Sequence, residues 1–280
     1  MSIKAITLSD NSAAMRRGLL AEHGFSVYLE AEGTRLLFDT GQSISAAHNA
    51  KLLGIDLACV PVALSHGHYD HTGGLAGILK TAGPRKVFCH PDVFIARYAV
   101  LQGVIRPIGI PESRKDLELL GAKFSIAKQA RQIGDGIWLT GEIPRINDYE
   151  LPEDYLLVMD PIKRVDPLLD DQALVLETKH GLLIILGCAH AGLINTIEHA
   201  KKITGKEEIA GIVGGTHLGF PGGDRSAGKI RLAKTIQALK RYDIRLLAVS
   251  HCTGLEAAAM FSQEFGESFI FNNVGTVIDI

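Results

Sequence analysis

Residues 65–74, SHGHYDHTGG, place three histidines and an aspartate within six positions: His66, His68, Asp70 and His71. An apolar segment, CVPVAL, comes directly before this stretch. Neutral imidazole and carboxylate are ligands for zinc, iron and manganese. In extended or turning backbone, residues i and i+2 project to the same side, so His66 and His68 can reach one ion together. Asp70 and His71 follow on the next turn and could reach a second ion nearby.

This grouping of imidazoles needs a physical reason. Without an ion, buried ring nitrogens would lack partners, at a cost of roughly 1–3 kcal/mol for each group. The alternative is a solvated histidine-rich loop without a ligand. Because the cluster follows an apolar strand, we predict a metal site at the edge of a sheet.

Three more histidines follow apolar segments: His190 after LLIILGCA, His217 after IAGIVGGT and His251 after IRLLAVS. Any one of them alone is more often a hydrogen-bonded structural histidine. Because all three occupy equivalent positions just beyond predicted strands, we interpret them as candidate ligands delivered to the same edge.

The elements that would position these residues change in type along the chain. In the first half, the pattern of apolar residues predicts strands at 25–31, 35–41, 58–65 and 85–90 and a helix at 72–80. The second half predicts a hairpin, a helix with Gly205 as its C-cap, a strand, a helix and a strand, at 173–187, 192–205, 209–215, 226–242 and 244–250. This mixture favours β-sheets packed face to face with helices outside.

Composition restricts the class of protein. The chain has 280 residues, a formal charge of −2, 46% hydrophobic residues and 21% charged residues, which is typical of a globular protein. No run of five like charges and no apolar segment of membrane-spanning length occurs, so we expect a small-molecule substrate and neither a nucleic-acid nor a membrane partner. The N-terminus lacks a signal-peptide pattern and the four cysteines form no CxxC pair, so we expect a cytoplasmic protein with reduced thiols.

The domain organisation is predicted to be simple. No repeats or low-complexity tracts occur, and residues 1–280 are expected to form a single domain. Residues from about 92 to 170 hold most of the prolines and only one clear strand, at 136–142. We interpret this stretch as an insertion or lid region.

The HxHxDH pattern, with Asp39 upstream and His190 and His251 downstream, resembles the metallo-β-lactamase superfamily over residues 25–254. The segments DNSA, AEHGFSVYLE, LFDTGQS, LSHGHYDHTGGL, GCAHAGLINT, GGTHLGF and SHCTG are similar to its dihydropteroate-synthase-like members, which are related to methanopterin biosynthesis. The resemblance implies an α/β fold of the metallo-β-lactamase type, an αββα sandwich with the metals at one edge between two sheets.

The resemblance also implies a ligand set. The first metal would be bound by His66, His68 and His190, and the second by Asp70, His71 and His251. Asp39 would brace the histidine loop without binding metal. The superfamily usually places a metal-bridging aspartate after His190, but here the strand end carries His217, which could bind one metal or hydrogen-bond substrate. We expect one or two Zn²⁺ ions, with Mn²⁺ or Fe²⁺ as alternatives.

Other residues are candidates for the site. Asn11, His23, His90 and His217 could line a substrate pocket, although a turn or cap role is the alternative for Asn11 and His23. Cys188 and Cys252 flank His190 and His251 closely. A thiolate ligand is possible there, but the sequence favours buried, inert cysteines over ligands.

We therefore predict a metal-dependent hydrolase in which a metal-activated water attacks an ester, lactone, phosphoester or related small molecule, with Asp70 as the catalytic residue that positions this water and accepts its proton. The first alternative, implied by the resemblance, is a pterin-conjugating transferase that joins a dihydropterin methyl diphosphate to an arylamine. The second alternative is a non-catalytic, metal-bound ligand sensor.

Overall fold

The structure is a computed structural model that describes residues 2–159, 163–219 and 225–280. The strands, in chain order, are β1 (Ile3–Ser9), β2 (Ser26–Ala31), β3 (Thr34–Phe38), β4 (Val62–Ala63), β5 (Arg85–Cys89), β6 (Arg97–Leu101), β7 (Val104–Pro107), β8 (Ala122–Ile126), β9 (Arg131–Gly134), β10 (Ile137–Leu139), β11 (Leu156–Met159), β12 (Lys163–Val165), β13 (Leu174–Thr178), β14 (Gly181–Leu186), β15 (Ile209–Gly215), β16 (Leu246–Ser250), β17 (Phe269–Phe271) and β18 (Val277–Asp279).

The α-helices, in chain order, are α1 (Ser45–Leu52), α2 (Tyr69–Thr72), α3 (Leu75–Ala82), α4 (Arg114–Leu119), α5 (Leu193–Thr204), α6 (Arg225–Leu239) and α7 (Leu255–Phe265). Short 3₁₀ turns occur at Pro91–Phe94, His251–Thr253 and Gly266–Ser268. Across the described residues, no helix combines the length and the apolar character needed to cross a lipid bilayer.

The chain divides into two compact units. Unit 1 comprises Met1–Phe94, Gly109–Lys128 and Asn272–Ile280, and unit 2 comprises Ile95–Ile108 and Gln129–Phe271. The prediction that residues 1–280 form one domain with an insertion at about 92–170 stays a prediction.

Unit 1 contains a seven-stranded mixed sheet in the order β18-β1-β2-β3-β4-β5-β8. β3, β4, β5 and β8 are parallel, and Phe38, Ala63 and Phe88 lie side by side on the first three of them. The carboxyl ends of these strands therefore meet at one edge, where the chain continues into Asp39, the histidine turn and His90.

The core of unit 1 joins this sheet to α1, α3 and α4. Leu37, Val62 and Val87 from the strands are buried in one cluster with Ala50 of α1 and Ile78 of α3. Burial of each such aliphatic side chain stabilises the fold by about 1.5–3 kcal/mol. The core thus holds the strand ends in fixed positions.

Unit 2 contains a second seven-stranded sheet, in the order β17-β16-β15-β14-β13-β10-β9. β14, β15 and β16 are parallel neighbours, with Leu186 paired to Gly214 and Gly214 to Val249. Their carboxyl ends meet at one edge in the same way, and His190, His217 and His251 follow them. Residues of α5, α6 and α7, including Ile197, share a buried cluster with this sheet.

A four-stranded antiparallel sheet, in the order β12-β11-β6-β7, completes unit 2. Arg97 on β6 is buried beneath it and donates to Asp166 and Asp170, each at 2.6 Å. A buried arginine is tolerated because two carboxylates offset its charge.

Residues 92–170 are more regular than the sequence suggested. They contain the strands from β6 to β12 and helix α4, and β8 belongs to the large sheet of unit 1. All residues of β7 and β12 are exposed, so these strands show no alternation of apolar and polar residues. Residues 160–162 lie outside the described part of the chain.

Most other predicted elements occur close to their expected positions. The hairpins β2-β3 and β13-β14 are antiparallel as expected, and Gly205 caps α5 with a φ of 70°. The predicted strand over 58–65 is reduced to two residues in β4, and the predicted helix over 72–80 is split. Gly73 and Gly74 lie between α2 and α3, where a Cβ would lie 2.1 Å from the carbonyl oxygen of Gln42 or Thr40, so only glycine fits this close approach of the backbone.

Candidate functional site

The histidine turn of unit 1 runs from the end of β4 into α2. His66, His68 and His71 are buried, with exposures of 1%, 6% and 0%. Nε2 of His66 lies 3.0 Å from Nδ1 of His68, and the rings of His66 and His71 have centroids 4.2 Å apart. The structure thus brings these three predicted ligands together. Asp70, which is 7% exposed, lies on α2 beside them.

Asp39 supports this turn from beneath. It is completely buried and its Oδ1 accepts from the backbone N–H of Ser65 at 2.7 Å. Its Oδ2 accepts from Oγ of Ser65 and lies 2.7 Å from Nδ1 of His71. Engaging Nδ1 leaves Nε2 of His71 as the atom able to bind an ion. These are the contacts that the predicted bracing role requires, and the role itself stays a prediction.

Asp70 is close to two other predicted site residues. Its Oδ2 lies 3.2 Å from Nε2 of His23 and 3.8 Å from Nε2 of His71. His23 is half exposed, so it can reach solvent and the carboxylate together. Oδ1 of Asn11 accepts from the N–H of Gly24 at 3.3 Å and so helps to fix the backbone beside His23.

His90 is also buried, at 1% exposure, at the end of β5. Its Nδ1 accepts from the N–H of Asp92 at 3.1 Å, which fixes the turn that follows. A role for His90 in a substrate pocket stays a prediction.

The three histidines of unit 2 lie beyond neighbouring parallel strands. His190 follows β14, His217 follows β15 and His251 follows β16, and the ring centroids of His190 and His217 are 4.1 Å apart. Ala189, His217 and His251 have positive φ values of 55°, 48° and 52°. Residues other than glycine rarely adopt this conformation, and it concentrates at functional sites.

Two groups of potential metal ligands occur in unit 2. One consists of Cys188, His190 and His217, and the other of Cys188, His251 and Cys252; in each group the ligand atoms lie within 4.8 Å of one another. All four cysteines lie in the described part of the chain, and none forms a disulfide. The sequence favoured inert cysteines here, whereas the structure places both sulfurs among the histidines.

The electrostatic environment of Cys252 favours its ionised form. Burial alone would raise the pKa of this thiol. The hydrogen bond with Cys188 and the positive charges of His251 and His217 outweigh that effect, and the pKa lies well below its usual range.

Glu153 is a buried carboxylate in this region that the sequence analysis missed. Its Oε1 accepts from Nη1 of Arg231 at 2.7 Å, and its oxygens lie 3.7 Å from Nδ1 of His190 and 3.9 Å from Nε2 of His217. Burial opposes ionisation, but the charges of His217, His190 and Arg231 lower the pKa of Glu153 far below its usual value. The negative charge of Glu153 in turn raises the pKa of His217, against the effect of burial. The hydroxyl of Tyr155 lies 3.0 Å from Nε2 of His217.

The loop that carries His190 is fixed by several buried hydrogen bonds. Asp171 accepts from the N–H of Ala191 at 2.8 Å, and Nδ2 of Asn195 donates to the carbonyl oxygen of Ala191 at 2.7 Å. Glu150 caps α5 by accepting from the N–H groups of Ile194 and Asn195 at 2.8 and 2.9 Å. A carboxylate at a helix N-terminus is stabilised by the helix dipole, and it fixes the start of the helix. No sequence pattern pointed to Glu150 or Glu153, because their partners are more than forty positions away.

A sequence comparison decides the family. The family model described as the metallo-beta-lactamase superfamily matches residues 20–198, which is more than half of the chain. The chain belongs to the metallo-β-lactamase superfamily. The resemblance predicted from the HxHxDH pattern is therefore confirmed, and so is the α/β fold class of that type, with large sheets that carry helices.

Two superfamily relatives come from Methanocaldococcus jannaschii. One is 7,8-dihydropterin-6-methyl-4-(beta-D-ribofuranosyl)-aminobenzene-5'-phosphate synthase, which is 31% identical and covers 99% of this chain and 96% of its own length. The other is an uncharacterized protein that is 33% identical and covers 98% of each chain. Among solved structures, Tm1679, described as a metal-dependent hydrolase of the beta-lactamase superfamily, matches with a TM-score of 0.83 and 29% identity over 99% of both chains.

Superfamily membership implies a divalent metal, and the residues present fit one. The groups built on Cys188 supply sulfur and imidazole nitrogen, which are the preferred ligands of zinc. Within the described residues, Nδ1 of His217 is buried without a hydrogen-bond partner, as expected for an atom that binds an ion. The identity of the ion, the number of ions and the full ligand set remain predictions.

Proposed function

We propose that this protein is a metal-dependent hydrolase that acts on a small molecule with an ester, lactone or phosphoester bond. The proposal depends mainly on the buried triad of His66, His68 and His71, in which Asp39 holds Nδ1 of His71 at 2.7 Å. Superfamily membership and the similarity to a solved metal-dependent hydrolase support the same reaction class. His66, His68, Asp70 and His71 are the ligands that the sequence predicted for this turn.

Each proposed role follows from chemistry and local contacts. A bound divalent ion would polarise the substrate and lower the pKa of water. Asp70 positions the attacking water and accepts its proton, and His23, 3.2 Å from Asp70, orients the carboxylate. His217 donates to or accepts from the substrate, while Tyr155 and Glu153 fix its ring.

A metal-dependence experiment tests this proposal. The purified chain is stripped of metal with a chelator, reloaded separately with Zn²⁺, Mn²⁺ and Fe²⁺, and assayed on a panel of esters, lactones and phosphoesters. We expect turnover to disappear with the metal and return with one of the ions. His68→Ala should abolish it, whereas His180→Ala, at an exposed hairpin turn, should not. Turnover that persists in the stripped protein or in His68→Ala contradicts the proposal.

A second candidate function is favoured by the 31% identical synthase. In this reading, the chain joins a dihydropterin methyl diphosphate to an arylamine, with diphosphate as the leaving group. Incubation of the metal-loaded protein with both compounds distinguishes the two functions. Formation of a new C–N bond identifies a transferase, and release of diphosphate without that product identifies a hydrolase. Retention of metal and binding of ligand without turnover in any assay would instead identify a ligand sensor.

A further inference from the structure

Two sulfur atoms lie at the strand-end edge of unit 2. Cys188 follows β14 and is 3% exposed, and Cys252 lies in the turn after β16. Their Sγ atoms and a ring nitrogen of His251 lie within 4.8 Å of one another. Two thiols and an imidazole on adjacent loops form a potential site for a soft divalent cation.

We propose that Cys188 and Cys252 bind a divalent ion as thiolates, together with His251, so that the metal centre of this protein has sulfur ligands. The inference deepens the proposed function by adding ligands that the sequence prediction left out. On binding, each thiol loses its proton to solvent, and a lone pair of each sulfur forms a bond to the ion.

The separations suit such a site. With Zn–S bonds of about 2.3 Å and Zn–N bonds of about 2.0–2.1 Å, ligand atoms around a tetrahedral ion lie roughly 3.3–3.8 Å apart. The three atoms are separated by at most 4.8 Å, so they would approach one another by no more than about 1.5 Å. Rotations of the cysteine side chains supply shifts of this size without a change in the strands.

The surroundings are shaped around the sulfur of Cys252. A Cβ at Gly215 would lie 2.6 Å from this Sγ, so the glycine leaves the space that the sulfur fills. The N–H of His217 donates to the same sulfur at 3.2 Å, a contact that a thiolate strengthens. In the thiol form, Cys252 donates to the carbonyl oxygen of Cys188 at 3.7 Å, which is long and is given up on metal binding.

Charge balance gives a further reason for sulfur ligation. A divalent ion in a buried site is stabilised by anionic ligands, and imidazoles supply none. The nearby carboxylate of Glu153 is occupied by Arg231 at 2.7 Å. Two thiolates would neutralise the ion directly.

Cobalt substitution tests the inference through a spectrum, without any need for turnover. The full chain is stripped of metal and titrated with Co²⁺ while absorption is recorded. We expect an intense thiolate-to-cobalt charge-transfer band in the near ultraviolet. Cys188→Ser and Cys252→Ser should each weaken this band and lower the affinity for Zn²⁺ by at least about tenfold. The matched control Cys59→Ser, at an exposed position of unit 1, should change neither.

The outcome can be separated from folding and from activity. Circular dichroism identifies a variant that fails to fold, and cadmium NMR of the wild-type protein reports sulfur ligation without any substitution. Cobalt bound without a charge-transfer band, or a band at full intensity in either folded serine variant, overturns the inference. Turnover without the band supports the proposed hydrolase and contradicts the sulfur ligands. The band without turnover supports the sulfur ligands and contradicts the proposed hydrolase.

Discussion

Oδ2 of Asp39 lies 2.7 Å from Nδ1 of His71, with both side chains completely buried. The same carboxylate receives the backbone N–H and the hydroxyl of Ser65, the residue that opens the histidine turn. One aspartate therefore fixes the orientation of a predicted ligand and the position of the backbone that carries two others. Side chains that hydrogen-bond a metal ligand orient its ring and raise its basicity, so their loss weakens metal binding.

Asp39→Asn is expected to weaken zinc binding by about 10–100-fold, because the amide lacks the charge that holds the N–H of His71. Competition with a chromophoric chelator measures the change. Asp135→Asn, at an exposed turn, serves as the control and should bind zinc like the wild type. An unchanged affinity in Asp39→Asn would show that Asp39 only supports the fold.

Glu153→Gln should destabilise the protein by about 3–5 kcal/mol, because the guanidinium of Arg231 stays buried without a countercharge. Urea denaturation measures the loss. The double variant Glu153→Leu/Arg231→Leu should recover much of it, since no unpaired charge remains. Equal stabilities of the single and double variants would contradict this account.

Glu22 should contribute to the pH dependence of stability. It accepts four hydrogen bonds from Ser43 and Ser45, and these lower its pKa from 4.5 even though burial acts in the opposite direction. A carboxyl whose pKa falls on folding stabilises the protein above its unfolded value and loses that contribution on acidification. Between about pH 5 and pH 3, the wild type should therefore lose more stability than Glu22→Gln. Urea denaturation at a series of pH values measures this, and Glu267→Gln, at an exposed position, should follow the wild type.

Gly215→Ala should destabilise the protein by about 1–3 kcal/mol, since the added methyl group would lie 2.5 Å from the carbonyl oxygen of Gly187. Gly77→Ala is a matched control in helix α3, where the nearest atom outside the helix is 4.0 Å away. There, alanine should stabilise the helix by up to about 1 kcal/mol. Thermal unfolding of both variants checks the opposite signs, and a Gly215→Ala variant as stable as the wild type would show that the backbone yields.

Elements with strong local signals could be predicted from the sequence. Helix α5 has both an apolar face and a glycine cap, and the β13-β14 hairpin has two apolar runs around a polar turn. No sequence pattern predicted β1, β18 or α7, and little regular structure was predicted between β6 and β12. The strands from β6 to β12 have at most five residues, and β7 and β12 are fully exposed. β1 pairs with β18 near the other end of the chain, so such pairings depend on long-range contacts that no local pattern reveals.

Some residues of the candidate site could likewise be predicted from local sequence patterns, and others could not. The histidine turn was found because its ligand types recur at two-residue spacing in one short segment. His190, His217 and His251 were found because each follows an apolar strand. Glu153 and Tyr155 were missed because their relation to His217 arises only when segments more than sixty residues apart come together. The sulfur atoms were seen in the sequence, but only the structure places Cys188 and Cys252 within reach of one another.

The left-handed backbone of Ala189, His217 and His251 has a consequence for thermostability. A residue other than glycine in this conformation costs about 1–2 kcal/mol, so these positions together remove several kcal/mol from a total stability that is usually about 5–15 kcal/mol. This protein therefore gives up part of its thermostability to keep these three residues at the carboxyl-terminal edge of its second large sheet.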